Sequence, residues 1–335
     1  MAARDGACAA GTGAGAEVDR EALLRARQRL AGRVRETPLV PAPELGERAG
    51  GAVWLKAENL QAEGSFKLRG ATNRMLALEE GGWRGGVVTA SSGNHGRAVS
   101  RAARELGWQA VVVMPEDAPP VKVEACGRLG ARVVLHGTSS TARAELAERL
   151  AREEGLAFVP SHDDPDVVAG QGTVAMEILG RLPSCRVILA PVGGGGLASG
   201  VALAAHHFSS GVEVWGVEPE GSACMYRSLQ AGEPVTLEAV STVADGLRSR
   251  RPGSIPFALA RRYLKGVLLV TEEEILATMR YLARECHLVV EPSGAVAAAA
   301  LWAGKLDLEG RVAVAVLSGG NVDAALLCRV VGEGA

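Results

Sequence analysis

One pattern governs what this chain can fold into. Short apolar runs each stop at a cluster of small or polar residues, and a segment of helical periodicity follows. CRVILAPV (185–192) runs into GGGG and then LASGVALAAHH, and VVTASS (87–92) runs into GNHGRAVSRAARELG. VWLKA (53–57), AVVVMPE (110–116), ARVVLHG (131–137), VEVWGVE (212–218) and VAVAVLSGGN (312–321) continue the series. Runs this continuously apolar are buried on both faces, and their alternation with helices predicts parallel sheets covered by helices, an α/β fold. Helices are predicted over 18–34, along KLRGATNRMLALEE and TARAELAERLAREEG, after DDPDVVAGQGT, along GAVAAAALWAGK, and after Thr271, where Glu274 completes a capping box. Ligands in such sheets sit at the carboxyl ends of strands. The clusters SSGNH, GGGG, VEPE and SGGN are therefore where chemistry is sought.

Composition narrows the classes. A chain of 335 residues, 47% of them hydrophobic, suggests two domains or one large domain with an insertion. A net charge of −2 offers no field for nucleic acid or an anionic membrane. No run of 18 apolar residues exists, so no membrane span is expected. Cys8, Cys126, Cys185, Cys224, Cys286 and Cys328 form no C-x-x-C pair, which suits reduced thiols and a cytoplasmic location. Residues 1–17 are expected to be a flexible tail. Lysine is scarce: Lys56, Lys67, Lys122, Lys265 and Lys305 stand against 31 arginines.

Four constellations carry chemistry. Gly193, Gly194, Gly195 and Gly196 follow a strand and open a helix, so bare backbone amides and a positive helix end face one point, as a phosphate needs. The series Gly193, Gly195, Ala198 also fits G-x-G-x-x-A with Glu218 at the next strand end, so a dinucleotide is a rival, and an empty tight turn is the structural alternative. Lys67 stands at a helix start, which eases loss of its proton and suits a Schiff base with a carbonyl cofactor, with Phe66 placed to cover an aromatic ring. A solvated lysine is the plainer alternative. Ser91, Ser92, Asn94 and His95 make a seat for a carboxylate at a helix N-terminus, or an ordinary cap. Ser318 to Asn321 form the last cluster, or an ordinary turn.

Together the segments GSFKLRGA, SSGNHG, VAGQGT, APVGGGGL, GVEPEG, ADGL and LSGGN, in this order, resemble the pyridoxal-phosphate enzymes of fold type II. Within them the resemblance is to the serine/threonine dehydratase and serine racemase group. It spans about residues 20–325. The fold implied is tryptophan-synthase-β-like: two parallel-sheet α/β domains with the active site between them, the large one from 18–85 and 160–330, the small one inserted at 86–159. The resemblance implies that Lys67 carries pyridoxal 5'-phosphate and that Phe66 lies beside its ring. It places Gly193 to Gly196 and Leu197 at the phosphate, Asn94 at the ring oxygen and Ser318 at the pyridine nitrogen. Ser91, Ser92, Asn94 and His95 would bind the substrate carboxylate. A homodimer is usual for the group.

The activity implied is loss of water from L-threonine or L-serine, giving 2-oxobutyrate or pyruvate plus ammonia. A serine at the pyridine nitrogen leaves the ring neutral, which favours β-elimination over transamination. Ser92 matches the residue that reprotonates on the opposite face in racemases, and dehydratases carry it too, so a racemase stays open, as does a dehydratase of another β-hydroxy amino acid. From another class, a non-catalytic dinucleotide or amino-acid binding protein is opposed by the presence of Lys67. The group often holds a divalent cation. Glu218 matches one ligand, but Cys224 falls where a carboxylate is usual, and a thiol is a poor ligand for Mg²⁺ or Ca²⁺. No long extension follows Asn321, so the regulatory domain of biosynthetic threonine dehydratases is not expected. Arg143 is weighed as a second carboxylate contact against a surface role. Asp163, Asp164 and Asp166 are read as caps, His206 and His207 as surface residues, and Glu291 is left open.

Overall fold

The computed structural model describes residues 18–91 and 93–332. The expected tail at 1–17 and Ser92 lie outside the described residues. The ten strands are β1 (Leu39–Pro41), β2 (Ala52–Lys56), β3 (Val87–Ala90), β4 (Ala110–Met114), β5 (Arg132–Leu135), β6 (Ala157–Phe158), β7 (Cys185–Pro191), β8 (Glu213–Pro219), β9 (Gly266–Val270) and β10 (Val312–Val316). The helices are α1 (Arg20–Leu30), α2 (Pro43–Ala49), α3 (Lys67–Glu80), α4 (Asn94–Leu106), α5 (Pro120–Arg128), α6 (Ser140–Glu154), α7 (Pro165–Arg181), α8 (Gly196–Phe208), α9 (Cys224–Ala231), α10 (Ser254–Tyr263), α11 (Glu272–Arg284), α12 (Pro292–Trp302) and α13 (Ala324–Gly332).

The strands form two sheets. One has the order β1-β2-β10-β7-β8-β9, parallel except for the short edge strand β1. The other, β5-β4-β3-β6, is parallel throughout and draws all its strands from residues 87–158. In the larger sheet Val314 of β10 pairs with Trp54 of β2 on one side and Ile188 of β7 on the other. This register sets the ends of β10 and β7 side by side, so SGGN and GGGG open next to each other. Both faces of this sheet are covered. Ala295 to Leu301 of α12 bury against one, and Val201 to Ala205 of α8 against the other.

Glycines set how the helices cross. The segment VAGQGT was expected to precede a helix. It lies inside α7, which starts at Pro165 with Asp164 as its cap, the Asp164 carboxylate accepting from Val167 N at 3.0 Å. A Cβ on Gly170 would lie 2.7 Å from Gly70 Cα, and one on Gly200 only 2.4 Å from Val168 O. Thus α3, α7 and α8 meet backbone to backbone, a closeness that any side chain would forbid.

A buried ionic cluster then fixes the start of α3. The Arg69 guanidinium donates to both oxygens of Glu58 at 2.8 Å and to Glu177 Oε2 at 2.8 Å, while Lys56 Nζ reaches Glu177 and Thr37 O. Arg69 and Glu58 are fully buried. One turn of α3 is thereby tied to the end of β2 and to α7. The capping box at Thr271 and Glu274 is present as expected. The predicted first helix is shorter than its 18–34 pattern, stopping at Leu30 before a turn in which Gly32 takes φ +72°.

Candidate active site

Lys67 is the first residue of α3, and its Nζ donates to the carbonyl of Ser161 at 2.8 Å. Burial pulls its ammonium down to about 8, so the amine form is accessible near neutrality. The Phe66 ring centre is 5.1 Å from that nitrogen. Phe66 N donates to Ser318 O at 3.1 Å, and Ser65 forms an isolated antiparallel bridge with Gly319. The lysine and the SGGN turn are therefore stitched together through backbone, although more than two hundred residues separate them.

The glycine loop lies on the adjoining strand. Gly195 takes φ +96°, a conformation that favours glycine. The amides of Gly193, Gly194 and Gly195 donate to no acceptor among the described residues, and α8 begins directly behind them. A ring packs on this loop: a Cβ on Gly194 would come within 2.5 Å of the His162 imidazole. His162 Nδ1 lies 2.9 Å from Ser161 Oγ, and burial holds the ring neutral, at about 4. Leu197 is buried on the first turn of α8.

Asn94, the first residue of α4, is held at both ends of its amide. Its Oδ1 accepts from Asn321 Nδ2 at 2.7 Å, and its Nδ2 donates to Glu291 Oε1 at 2.6 Å, leaving one N–H unused. Asn321 also accepts from Arg97 Nη1 at 2.6 Å and donates to Glu63 O at 2.8 Å. Burial raises the Glu291 carboxyl to about 7, and the nearby Asp245 adds to the shift. Ser318 is buried, with its hydroxyl 3.3 Å from Ser293 O.

Ser91 and His95 are also built in. Ser91 Oγ accepts from Gly93 N at 3.2 Å and Gly96 N at 2.9 Å, a capping role. The His95 Nε2 pairs with Val159 O at 3.1 Å, which makes it the N–H nitrogen. Burial holds the ring neutral, at about 3, and its Nδ1 has no partner. That nitrogen carries a lone pair, so the imidazole has no donor left for a carboxylate. The amides at the start of α4 remain.

Glu218, weighed above as a cation ligand, is buried at the end of β8. Its two carboxylate oxygens accept from Met225 N at 2.9 Å and Tyr226 N at 2.8 Å, capping α9. Neither a cation nor a ribose hydroxyl is needed to satisfy it, and burial raises its carboxyl to about 8. Cys224 Sγ lies 3.7 Å away. Among the described residues no three His, Cys, Asp or Glu side chains stand where they could share a metal ion.

The remaining candidates are structural. Asp163 caps α10 through Ser254 N and Ile255 N, and Asp166 pairs with Arg29 and Arg74. Arg143 donates to Thr138 O at 2.9 Å at the start of its own helix. His206 and His207 close α8 with their rings in contact. Sequence reasoning did not select Ser161, His162 or Asn321. Only Asn321 had a signal, as the last letter of the SGGN turn.

A reactive amine, a loop of free amides at a helix end and a braced asparagine describe an enzyme site for a phosphorylated carbonyl cofactor. A profile of the pyridoxal-phosphate dependent enzyme family matches residues 30–319. The chain is 40% identical over 314 residues to the L-threonine ammonia-lyase of Thermotoga maritima, covering 94% of this chain and 78% of that protein. It is 39% identical to the catabolic L-threonine dehydratase of Escherichia coli (strain K12), covering 92% and 95%. The structure of maize serine racemase superposes with a TM-score of 0.89 at 33% identity, covering 94% and 97%. The chain belongs to the pyridoxal-phosphate dependent enzymes, in their tryptophan-synthase-β-like fold. No helix among the described residues is long and apolar enough to cross a membrane.

Proposed function

We propose that this enzyme is an ammonia-lyase that converts L-threonine, and L-serine beside it, into the 2-oxo acid and ammonia. The observation that carries the reading is that Lys67 is tied through Ser161 and His162 to the loop of unpaired amides and through Phe66 to the turn whose Asn321 holds Asn94, together with the two threonine-cleaving relatives. When bound, pyridoxal phosphate supplies an electron sink for charge at the substrate α-carbon.

The residues fit that group. The free amides of Gly193 to Gly195 and the helix end behind them suit its phosphate, the Lys67 amine its aldehyde, and the spare Asn94 N–H its ring oxygen. Asn321 and Glu291 are positioning residues that aim that N–H. Lys67 would also take the α-proton, since burial lowers its ammonium to about 8 and leaves the amine accessible near neutrality. The first amides of α4 hold the carboxylate. The Ser318 hydroxyl is too weak an acid to protonate a pyridine nitrogen placed beside it, which would keep charge near the α-carbon and favour loss of the β-hydroxyl, taking up a proton to leave as water. Water lost in that step is regained when the released enamine hydrolyses.

Residues 86–159 are proposed as a small domain, a reading supported by the four strands that fall inside them. A homodimer in the cytoplasm completes the proposal. The location is supported by the free state of Cys126, Cys185, Cys224, Cys286 and Cys328.

Serine racemase is the second reading, favoured by the similarity to the maize enzyme, with Ser92 as the opposite-face acid. Proton NMR with L-threonine and L-serine in deuterated water tests both. Appearance of 2-oxobutyrate or pyruvate is expected. Loss of the α-proton signal from otherwise intact amino acid would turn the assignment to racemase.

A further inference from the structure

The proposed carboxylate seat is short of positive charge. Its donors are the amides at the start of α4, and the imidazole of His95 is neutral with no N–H to spare. Two acids stand nearby, Asp245 and Glu291, and the charge of Asp245 adds to the rise of the Glu291 carboxyl. Lys67 is given over to the cofactor and, with substrate bound, to the α-proton. A substrate carboxylate placed there needs a counter-charge that the seat itself lacks.

One further cation reaches it. Lys122, in the first turn of α5, extends its Nζ to Asp245 Oδ2 at 2.7 Å. A Cβ built on Gly93, the N-cap of α4, would meet that ammonium at 3.9 Å. The ammonium therefore stands close to the start of α4. Asp245 opens the 245–247 turn, which backs the glycine loop: a Cβ on Gly193 would lie 3.1 Å from Leu247 Cα. The pair thus spans from the smaller sheet's side of the site to the larger sheet's side. Both side chains are partly exposed, 28% and 42%, and an ion pair of that kind adds little to stability. Its position is better explained by what passes beneath it.

We propose that Lys122 is a substrate-binding residue, whose ammonium rests on Asp245 and pairs with the substrate α-carboxylate at the N-terminus of α4. This rests on the pyridoxal-phosphate reading above. Asp245 is then the resting partner that gives up the ammonium when a substrate carboxylate enters.

The test uses the holoenzyme and two ligands that lack a leaving group, L-alanine and L-alaninamide. They differ only in the carboxylate. Binding is read from the change each causes in the visible absorption of the bound cofactor. For Lys122→Met, alanine should bind at least about tenfold more weakly while alaninamide stays within about twofold, and Lys122→Arg should restore most of the difference. Turnover of threonine should show a raised KM with a smaller change in kcat. Asp245→Asn separates a simple latch from the proposal: a latch would make it weaken alanine as Lys122→Met does, whereas a released ammonium should keep alanine at least as tight. Equal weakening of alanine and alaninamide by Lys122→Met, or no weakening, overturns the proposal. Wild-type holoenzyme whose absorption responds to neither ligand overturns the functional reading itself.

Discussion

Gly70 and Gly170 touch through their backbones: a Cβ on Gly170 would stand 2.7 Å from Gly70 Cα and 2.8 Å from Arg69 O. The contact lies one turn past Lys67, so it sets how deep the lysine enters the site. Backbone atoms cannot swing aside. Gly170→Ala should cost about 1–3 kcal/mol through overpacking, seen as a lower urea midpoint. Cofactor affinity should fall with it, because α3 is pushed away from α7. An alanine variant with unchanged midpoint and affinity would contradict this account.

The Arg69–Glu58 pair is buried on both sides. Glu58→Ala leaves Arg69 with Glu177 as its one carboxylate partner, and that acid also serves Lys56. Breaking one partner of a buried pair costs about 3–5 kcal/mol, since the other charge stays in the interior. Calorimetry or denaturant melting of apoprotein measures it directly. A loss below about 1 kcal/mol, the range of a surface pair, would mean that the cluster is open to water.

Loading of apoenzyme by pyridoxal phosphate should depend on pH through Lys67. Only the free amine attacks the aldehyde. With its ammonium at about 8, the loading rate should climb as pH rises from 6 and flatten above about 8. Stopped-flow absorbance gives the profile. Lys67→Ala should show no covalent loading at any pH, and turnover should drop by about three orders of magnitude or more.

Glu291 gives a stability signature of the opposite sense to an ordinary salt-bridged acid. Its carboxyl is raised to about 7 in the folded protein against roughly 4.3 in the unfolded chain. The folded state therefore holds the proton more tightly. Its contribution is complete below about pH 4 and is lost as pH rises through 7. Glu291→Gln keeps the protonated shape at every pH. The stability of this variant relative to wild type should improve steadily between pH 5 and pH 8, while parallel curves would show that Glu291 titrates normally.

Much of this was legible in the chain. Continuous apolar runs such as VILAPV and VAVAV announce buried parallel strands by themselves, and GGGG after a strand is a local signal with a local cause. Capping at Thr271 and Glu274 is equally local. What could not be read was convergence. Asn321 looks like a turn residue until β10 is laid beside β7 and its amide meets Asn94. His162 follows a two-residue strand and gives no hint that Gly194 lies against its ring and Gly196 against its backbone. The start of α7 was misplaced because its glycines resemble a loop. They are interior helix residues, small so that Gly70 and Gly200 can approach. Glu218 carried a family expectation of metal binding, and only the position of α9 shows that its oxygens also accept from Met225 and Tyr226 N–H.

The pairing of β2 with β10 has a consequence for how the chain is made. Residues 52–56 find their parallel neighbours at 312–316, and β10 is also the strand that joins β2 to β7. The β5-β4-β3-β6 sheet, by contrast, is complete once residue 158 has been synthesised. On a ribosome the smaller sheet can therefore form early, while β1, β2 and the lysine that follows them wait for the last strand. Long-range parallel pairing of this kind is slow and leaves apolar edges uncovered meanwhile. The newborn enzyme is thus most open to aggregation before β10 emerges, and its catalytic lysine is set in place only after that strand has docked.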